Sequence, residues 1–258
     1  MKYLSYKTLL LGVIVSGALL TLPRFDVYAQ SEALKSALKV VVDVKDEKVE
    51  TLESRRTALL KILDLSRLEV EELMAKLSAI DVLEDEYIEL QGQFSEDLES
   101  YIMYFDSLED ALINNSLTQK ELQLLAADFK TWHEEYNINV KKIANFIWTF
   151  READLLIIAK SRLNKISVDI KRFRSSKVIK ISALTPPLAN AAAALQEAEV
   201  LNKQAQNLLL ATTTPPIAED EETPPTIGEL IEAALNKIKD AYKEFFKMSA
   251  LLKEMLGL

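Results

Sequence analysis

Residues 59–112 read LLKILDLSRLEVEELMAKLSAIDVLEDEYIELQGQFSEDLESYIMYFDSLEDAL and carry two columns of every seventh residue. One column runs from 59 to 108 and the other from 63 to 112, and thirteen of their sixteen positions are apolar or aromatic. The exceptions are Ser66, Glu84 and Gln91. A sustained heptad of this kind is typical of helices that pack as a coiled coil.

The residues around this heptad extend the helical prediction. No proline and a single glycine, Gly92, lie between Arg24 and Thr185. Asn114 to Ser116 then favour a turn, and a second apolar seam follows it as far as residue 173. We therefore predict an all-α fold whose main domain, 30–184, is a long, coiled-coil-like antiparallel hairpin with its turn near 114–117. The first arm contains Gly92 within or beside one continuous helix, although a break near 91–95 is the alternative.

The carboxy-terminal part predicts two shorter helices that complete an elongated helical bundle. Thr185 is expected to cap an Ala-rich helix over 185–211, and a Thr-, Pro- and acid-rich linker spans 212–225. The last segment, 226–258, opens with a capping box and carries an amphipathic stripe. That stripe needs a surface to cover. The hairpin, a second copy of the chain and a membrane are the three candidates.

The first 29 residues predict targeting. A lysine-containing start precedes fifteen apolar-rich residues, 8–22, and Val27-Tyr28-Ala29 matches a cleavage site. The interpretation is a signal peptide, with an uncleaved membrane anchor as the alternative. We thus expect a secreted, periplasmic or envelope protein, membrane-anchored if the leader is retained. Removing the leader (+3 and −1, or +2) from the net charge of −9 leaves −11, which argues against nucleic-acid binding.

The residue inventory predicts no enzyme, no cofactor, no metal site and no small-molecule substrate. The chain has no cysteine and one histidine, His133, which cannot supply a usual zinc ligand set. Its five glycines form no phosphate-binding loop. His133 falls on the seam of the second arm, and a pH-responsive seam histidine is the functional interpretation. The aromatic residues of that arm fall at helical spacing and predict core packing rather than a ligand platform.

Polar residues on the seam predict one ion pair. Glu84 and Gln91 are one heptad apart, and an unpaired carboxylate on a seam is costly. If residues opposite each other in the hairpin sum to about 232, Glu84 lies one turn from Arg151. We therefore predict a Glu84–Arg151 ion pair beside Gln91.

Charge is segregated along the predicted hairpin. Residues 81–110 contain eleven Asp and Glu and no Lys or Arg. A basic contact surface is predicted further on, from Lys160, Arg162, Lys165, Lys171, Arg172, Arg174, Lys177 and Lys180. Such a distribution suits head-to-tail contacts between copies or contact with an anionic membrane or polymer.

These features favour an exported, non-enzymatic scaffold or interaction protein that binds a macromolecular partner, or itself, through its helix faces. The alternative is a membrane-acting protein of the amphipathic or pore-forming type, for which the carboxy-terminal helix and the leader are the support.

Overall fold

The computed structural model describes residues 52–82, 84–114, 116–175, 181–211 and 225–256, and the regular structure within them is helical with no strand. The α-helices are α1 (Leu52–Ser78), α2 (Asp85–Asn114), α3 (Gln119–Ser175), α4 (Thr185–Leu210) and α5 (Ile227–Leu256). A short 3-10 helix, Ile181–Leu184, precedes α4. The predicted all-α bundle class is confirmed. The predicted leader, 1–29, and residues 212–224 of the predicted linker lie outside the described residues.

The helices belong to two compact units that divide α3 between Ile147 and Trp148. The first unit combines α1, α2 and the amino-terminal part of α3. The second combines the rest of α3 with α4 and α5.

Contacts in the first unit define an antiparallel arrangement of successive helices. Arg56 near the start of α1 donates from Nη2 to the carbonyl oxygen of Ile113 near the end of α2, at 2.7 Å. In turn, the rings of Phe94 and Phe146 lie 5.5 Å apart between α2 and α3. Thirteen of the sixteen heptad positions are buried, and only Ile80, Glu84 and Gln91 are not. The heptad therefore marks the core of a three-helix bundle.

The predicted first arm is two helices, so the two-arm coiled-coil hairpin is not confirmed. The chain leaves the helix at Ala79 and re-enters it at Asp85, although this connection contains neither proline nor glycine. The heptad phase is the same on both sides of it. The alternative break near 91–95 is also wrong, because Gly92 lies inside α2 with its surface exposed.

Both predicted capping boxes form. The backbone N–H of Thr118 donates to Glu121 at 2.7 Å, and that of Glu121 donates back to the Thr118 hydroxyl at 3.3 Å. Thr226 and Glu229 make the same pair of bonds at 2.8 and 3.2 Å. These reciprocal bonds satisfy backbone donors that a helix start leaves open, and they fix where α3 and α5 begin.

The predicted cap at Thr185 is wrong. Leu184 occupies the cap position and makes no side-chain capping bond, while Thr185 is the first residue of α4. Pro186 and Pro187 follow in the first turn, where a missing backbone N–H costs nothing. The 3-10 turn and the fixed proline geometry begin this helix in place of a hydroxyl cap.

The second unit is built around closely approaching alanine columns. Lys160 pairs with Glu199 at 2.7 Å, which places α4 beside α3. Many Cα pairs of α4 and α5 lie within 8 Å of each other. The small side chains buried on these two helices are Ala191, Ala198, Ala205, Ala234 and Ala241. Alanine permits this approach because its side chain ends at Cβ.

The apolar stripe of α5 is covered by its own unit. Its buried members are Ile231, Ile238, Tyr242, Phe245 and Leu252. They share a core cluster with Leu156 of α3 and Leu195 of α4, apart from Ile231, which packs with Ala205. Of the three surfaces considered for this helix, the chain itself supplies the one seen in the structure.

Candidate functional site

Gln91 closes the connection between α1 and α2. Its Nε2 donates to the carbonyl oxygen of Leu77 at 2.7 Å and to that of Ile80 at 3.2 Å. Leu77 lies in the last turn of α1, where carbonyl groups have no partner within the helix, and Ile80 lies in the connection just beyond it. Gln91, one of the polar exceptions of the heptad, thus caps the preceding helix.

Glu84 does not occupy a buried seam position. It is exposed, and its backbone oxygen accepts bonds from the N–H groups of Tyr87 and Ile88 at the start of α2. The burial that motivated a Glu84–Arg151 ion pair is therefore absent. Arg151 belongs to the second unit and is half-buried. The ion pair itself stays a prediction.

His133 is buried in the first unit with 2% of its surface exposed. Its Nδ1 lies 2.8 Å from the amide nitrogen of Asn137, which follows one turn later on α3. The rings of Phe129 and Tyr136 lie 5.8 and 5.3 Å from the imidazole. This surrounding places the histidine in the core, as the seam predicted, while its response to pH stays a prediction.

An aromatic cluster fills the first unit around this histidine. Tyr104 stacks on Trp132 with 4.2 Å between ring centroids, and Phe105, Phe129 and Tyr136 pack around that pair. Of the aromatic residues of the second arm, Phe129, Tyr136 and Phe146 are buried as predicted, whereas Trp132, Trp148 and Phe150 are half-buried. Edge-to-face and offset pairs such as these contribute beyond the area that they bury.

Tyr136 also reaches a half-buried acid on α1. Its hydroxyl donates to Glu69 Oε2 at 3.0 Å. Burial raises the pKa of Glu69, the bond from Tyr136 opposes that effect, and the negative charge of Glu72 raises it further. Glu69 and Tyr136 thus form a polar contact between α1 and α3 at the aromatic cluster.

The predicted basic surface is partly engaged within the second unit. Lys160 pairs with Glu199, and the guanidinium of Arg162 lies 5.4 Å from the ring centroid of Tyr242. Lys165, Lys171 and Arg172 are exposed. Lys177, Lys180 and the side chain of Arg174 lie outside what the structure describes. Among the described residues, three members of the predicted surface are exposed on α3, and Arg172 also lies 3.5 Å from Asp169.

The acidic stretch forms a defined surface on α2, which we call the acidic face of α2. It consists of Asp85, Glu89, Glu96, Glu99 and Asp110, and all five are exposed. Helical spacing puts them on the side opposite the buried residues of the same helix. Two further acids of α2, Asp106 and Glu109, each lie 2.7 Å from Arg67. The acidic face itself stands apart from that cluster.

A buried carboxyl group in the second unit was not found from the sequence. Glu152 on α3 is fully buried, and its Oε2 accepts a bond from Asn202 Nδ2 of α4 at 3.1 Å. The same amide nitrogen donates to the carbonyl oxygen of Thr149 at 2.8 Å. Burial raises the pKa of Glu152 to about 8, and the bond from Asn202 opposes the rise.

A sequence signal for Glu152 did exist. The second seam slips in phase near Asp154 and resumes at Leu163, Ile166 and Ile170. Counting back from those residues by two heptads gives 149, 152 and 156, which are all buried. The slip coincides with the division of α3 between the two units, and it puts a carboxyl on the new seam.

Within the described ranges, no group of three or more His, Asp or Glu side chains is arranged to hold a metal ion. The helices of those ranges also include none with the length and apolar character needed to cross a membrane. The chain matches no protein-family model, no curated protein and no solved structure.

Proposed function

We propose that this chain is an exported, non-enzymatic helical protein that acts as a scaffold or interaction module in the cell envelope or extracellular space. It binds a macromolecular partner through its helix faces. The observation that carries this proposal is the acidic face of α2, which presents five exposed carboxylates on one side of one helix.

The electrostatics of that face point to a basic partner. Residues 81–110 contain no Lys or Arg, so no cation on α2 offsets its carboxylates. A surface of one sign accelerates encounters with a partner of the opposite sign and disfavours partners of the same sign. Another protein with a basic surface satisfies this requirement, and so does a second copy of the chain through Lys165, Lys171 and Arg172.

A matched pair of triple variants tests the acidic face. In one variant, Glu89, Glu96 and Glu99 are changed to Gln. In the control, Asp128→Asn, Glu134→Gln and Glu135→Gln remove the same charge from exposed positions on α3. Tagged, full-length chains are produced in the native host, cross-linked and recovered. We expect the α2 variant to lose partner that the control retains; equal recovery from both would contradict the proposal.

Self-association of the chain is tested separately, through its dependence on salt. Sedimentation velocity of the purified chain at low and high ionic strength reports head-to-tail contact, because contacts between exposed charges weaken as salt shortens their range. Self-association that is lost at high salt identifies a second copy as the partner. A single species with the same coefficient at both salts assigns the acidic face to a different protein.

Export is tested on the protein recovered from its source. The proposed cleavage after Ala29 predicts a mature chain that begins at Gln30. Intact-mass measurement of material from the medium, the periplasm and the membrane fraction distinguishes a cleaved chain from an anchored one. Recovery of only the full-length chain from the cytoplasm would exclude export.

The alternative, a membrane-acting protein, has one supporting observation. The polar side of α5 carries Lys237, Lys239, Lys243, Lys247 and Lys253. The apolar side of the helix is buried, however, and Lys237 and Lys243 pair with Glu197 and Asp240. Flotation of the mature chain with anionic vesicles tests this alternative. Salt-resistant flotation would favour it over the scaffold.

A further inference from the structure

The carboxyl of Glu152 is placed where its charged form is strongly disfavoured. The residue has no exposed surface, and Oε1 has no hydrogen-bond partner within the described part of the chain. A buried carboxylate normally requires a cation or several donors to replace its lost hydration. Glu152 has one neutral donor, Asn202, whose second amide N–H is engaged by Thr149.

Every other charged residue whose burial is described in the second unit is exposed or half-buried. On α3, Asp154 is exposed and Arg151 is half-buried. On α4, Glu199 pairs with Lys160 and also lies 4.0 Å from Lys203. On α5, Glu229 caps its own helix and Lys237 pairs with Glu197. Burial raises the pKa of Glu152, and the bond from Asn202 opposes that rise.

The bond from Asn202 to Glu152 joins two helices. Asn202 is 3% exposed and is a polar member of the column that also contains Ala198 and Ala205 on α4. Its amide reaches both a side chain and a backbone carbonyl of α3. Because the backbones of α4 and α5 approach closely, displacement of α4 from α3 exposes the apolar surface that α3 shares with both helices.

We propose that protonated Glu152 and Asn202 form a proton-operated latch that holds α4 and α5 against α3 in the second unit. Loss of the proton leaves a carboxylate that is stabilised by water and not by the core. The unit then loosens as the pH rises from acidic to alkaline, and the buried stripe of α5 becomes accessible to solvent or to a partner. This device is independent of the acidic face of α2.

Thiol labelling of the full chain tests the latch. The sequence has no cysteine, so Ala159→Cys adds a single thiol at a fully buried position of α3 that packs in the shared core. The labelling rate, divided by that of the unfolded chain at the same pH, gives the opening equilibrium. With a carboxyl pKa of about 8 when closed and 4.5 when open, we expect this equilibrium to rise about 100-fold between pH 6 and pH 9.

Two charge-removing substitutions make the comparison specific. Glu152→Gln keeps the size of the side chain and should abolish the rise, whereas Asp154→Asn removes an exposed acid from the same helix and should leave it intact. A rise that persists in Glu152→Gln would overturn the proposal. So would the absence of a rise in the parent chain.

Two further measurements are needed. One distinguishes local opening from global unfolding, and the other does not depend on a variant that folds. The thiol of Ala126→Cys, buried in the first unit, should show no 100-fold rise if the opening is confined to the second unit. An equal rise at both thiols would instead indicate global unfolding and refute a local latch. Carbon-13 NMR titration of the glutamate carboxyls needs no structural variant. A Glu152 resonance that titrates with an ordinary pKa would also refute the latch.

Discussion

The role of Gln91 in stabilising the connection between α1 and α2 can be tested by mutation. Gln91 donates two hydrogen bonds from one amide nitrogen, to the carbonyl oxygen of Leu77 in the last turn of α1 at 2.7 Å and to that of Ile80 just beyond it at 3.2 Å. The substitution Gln91→Glu keeps the shape of the side chain and replaces the donor by a carboxylate. It also brings a negative charge to the negative end of a helix dipole.

The expected loss of stability follows from these contacts. Two hydrogen bonds at about 1 kcal/mol each contribute about 2 kcal/mol. The unfavourable placement of the carboxylate near the end of α1 adds about 0.5 kcal/mol. The free energy of unfolding of the first unit should therefore fall by about 2–3 kcal/mol, which corresponds to a decrease in Tm of about 10 °C or more for a unit of this size.

Urea unfolding at pH 7 measures this change in a Trp148→Phe background. Trp132 is then the only tryptophan, and its stacking on Tyr104 makes its fluorescence a report on the first unit. Gln93→Glu is the control, since residue 93 is exposed on the same helix. The difference between the two variants should narrow at pH 4, because a protonated carboxyl again donates a bond.

Two results would show that Gln91 does not stabilise a break between α1 and α2. Equal urea midpoints for Gln91→Glu and Gln93→Glu would show that Gln91 does not hold the end of α1. Stabilisation by Gln91→Leu would be the behaviour of a continuous coiled-coil arm, in which residue 91 is a seam position that prefers an apolar side chain.

Three other predictions concern stability. Gly92→Ala should raise the free energy of unfolding by about 1 kcal/mol in thermal melts, because the added Cβ meets nothing within 4 Å on an exposed helix face. Phe105→Ala should cost about 3–5 kcal/mol in urea unfolding because the ring is fully buried among other aromatic rings, whereas Met103→Ala at an exposed position should change stability by less than about 0.5 kcal/mol. The pKa of Glu152 is raised in the folded chain, so its stabilisation is complete below pH 4.5 and lost as the pH rises through about 8. Relative to Glu152→Gln, the parent chain should therefore lose about 3 kcal/mol by pH 7 and about 5 kcal/mol by pH 9, and a constant difference across pH in urea unfolding would contradict this sign.

The helical content and the core of the first unit were predictable because burial imposes a period on the sequence. Twelve of the thirteen apolar positions in the columns that start at Leu59 and Leu63 are buried, with Ile80 as the exception, and the polar Ser66 is buried with them. The capping boxes at Thr118 and Thr226 were predictable as well, since each involves two residues at a fixed local spacing. These signals depend on residues within one or two helical turns of each other.

The break after α1 was not predictable from the same pattern. A continuous helix and two antiparallel helices present the same heptad when the connection happens to keep the phase, as it does between 78 and 85. What permits the break is a long-range contact from Gln91 to Leu77 and Ile80, and that contact has no local signature. The polar side chain was visible in the sequence, but its partners were not.

The candidate sites could likewise be predicted only in part from the sequence, because their long-range contacts have no local signature. The acidic surface was evident from composition, and the structure adds which five acids share one exposed face of α2. The basic stretch predicted a contact surface, yet Lys160 and Arg162 face Glu199 and Tyr242, which are remote in sequence. Such engagement depends on which helices meet, and this was fixed only by the structure.

The alanine columns of α4 and α5 restrict which substitutions this unit can accept during evolution. Ala198 and Ala241 are fully buried where α4 and α5 approach closely, so a larger side chain there would have to displace its neighbours. On α4, Ala192 and Ala193 are exposed and are free to vary. In the run of four alanines from 191 to 194, natural variation should thus be restricted at Ala191, which is fully buried, and tolerated at Ala192 and Ala193. At the buried alanines, side-chain volume should therefore restrict substitution in addition to hydrophobicity.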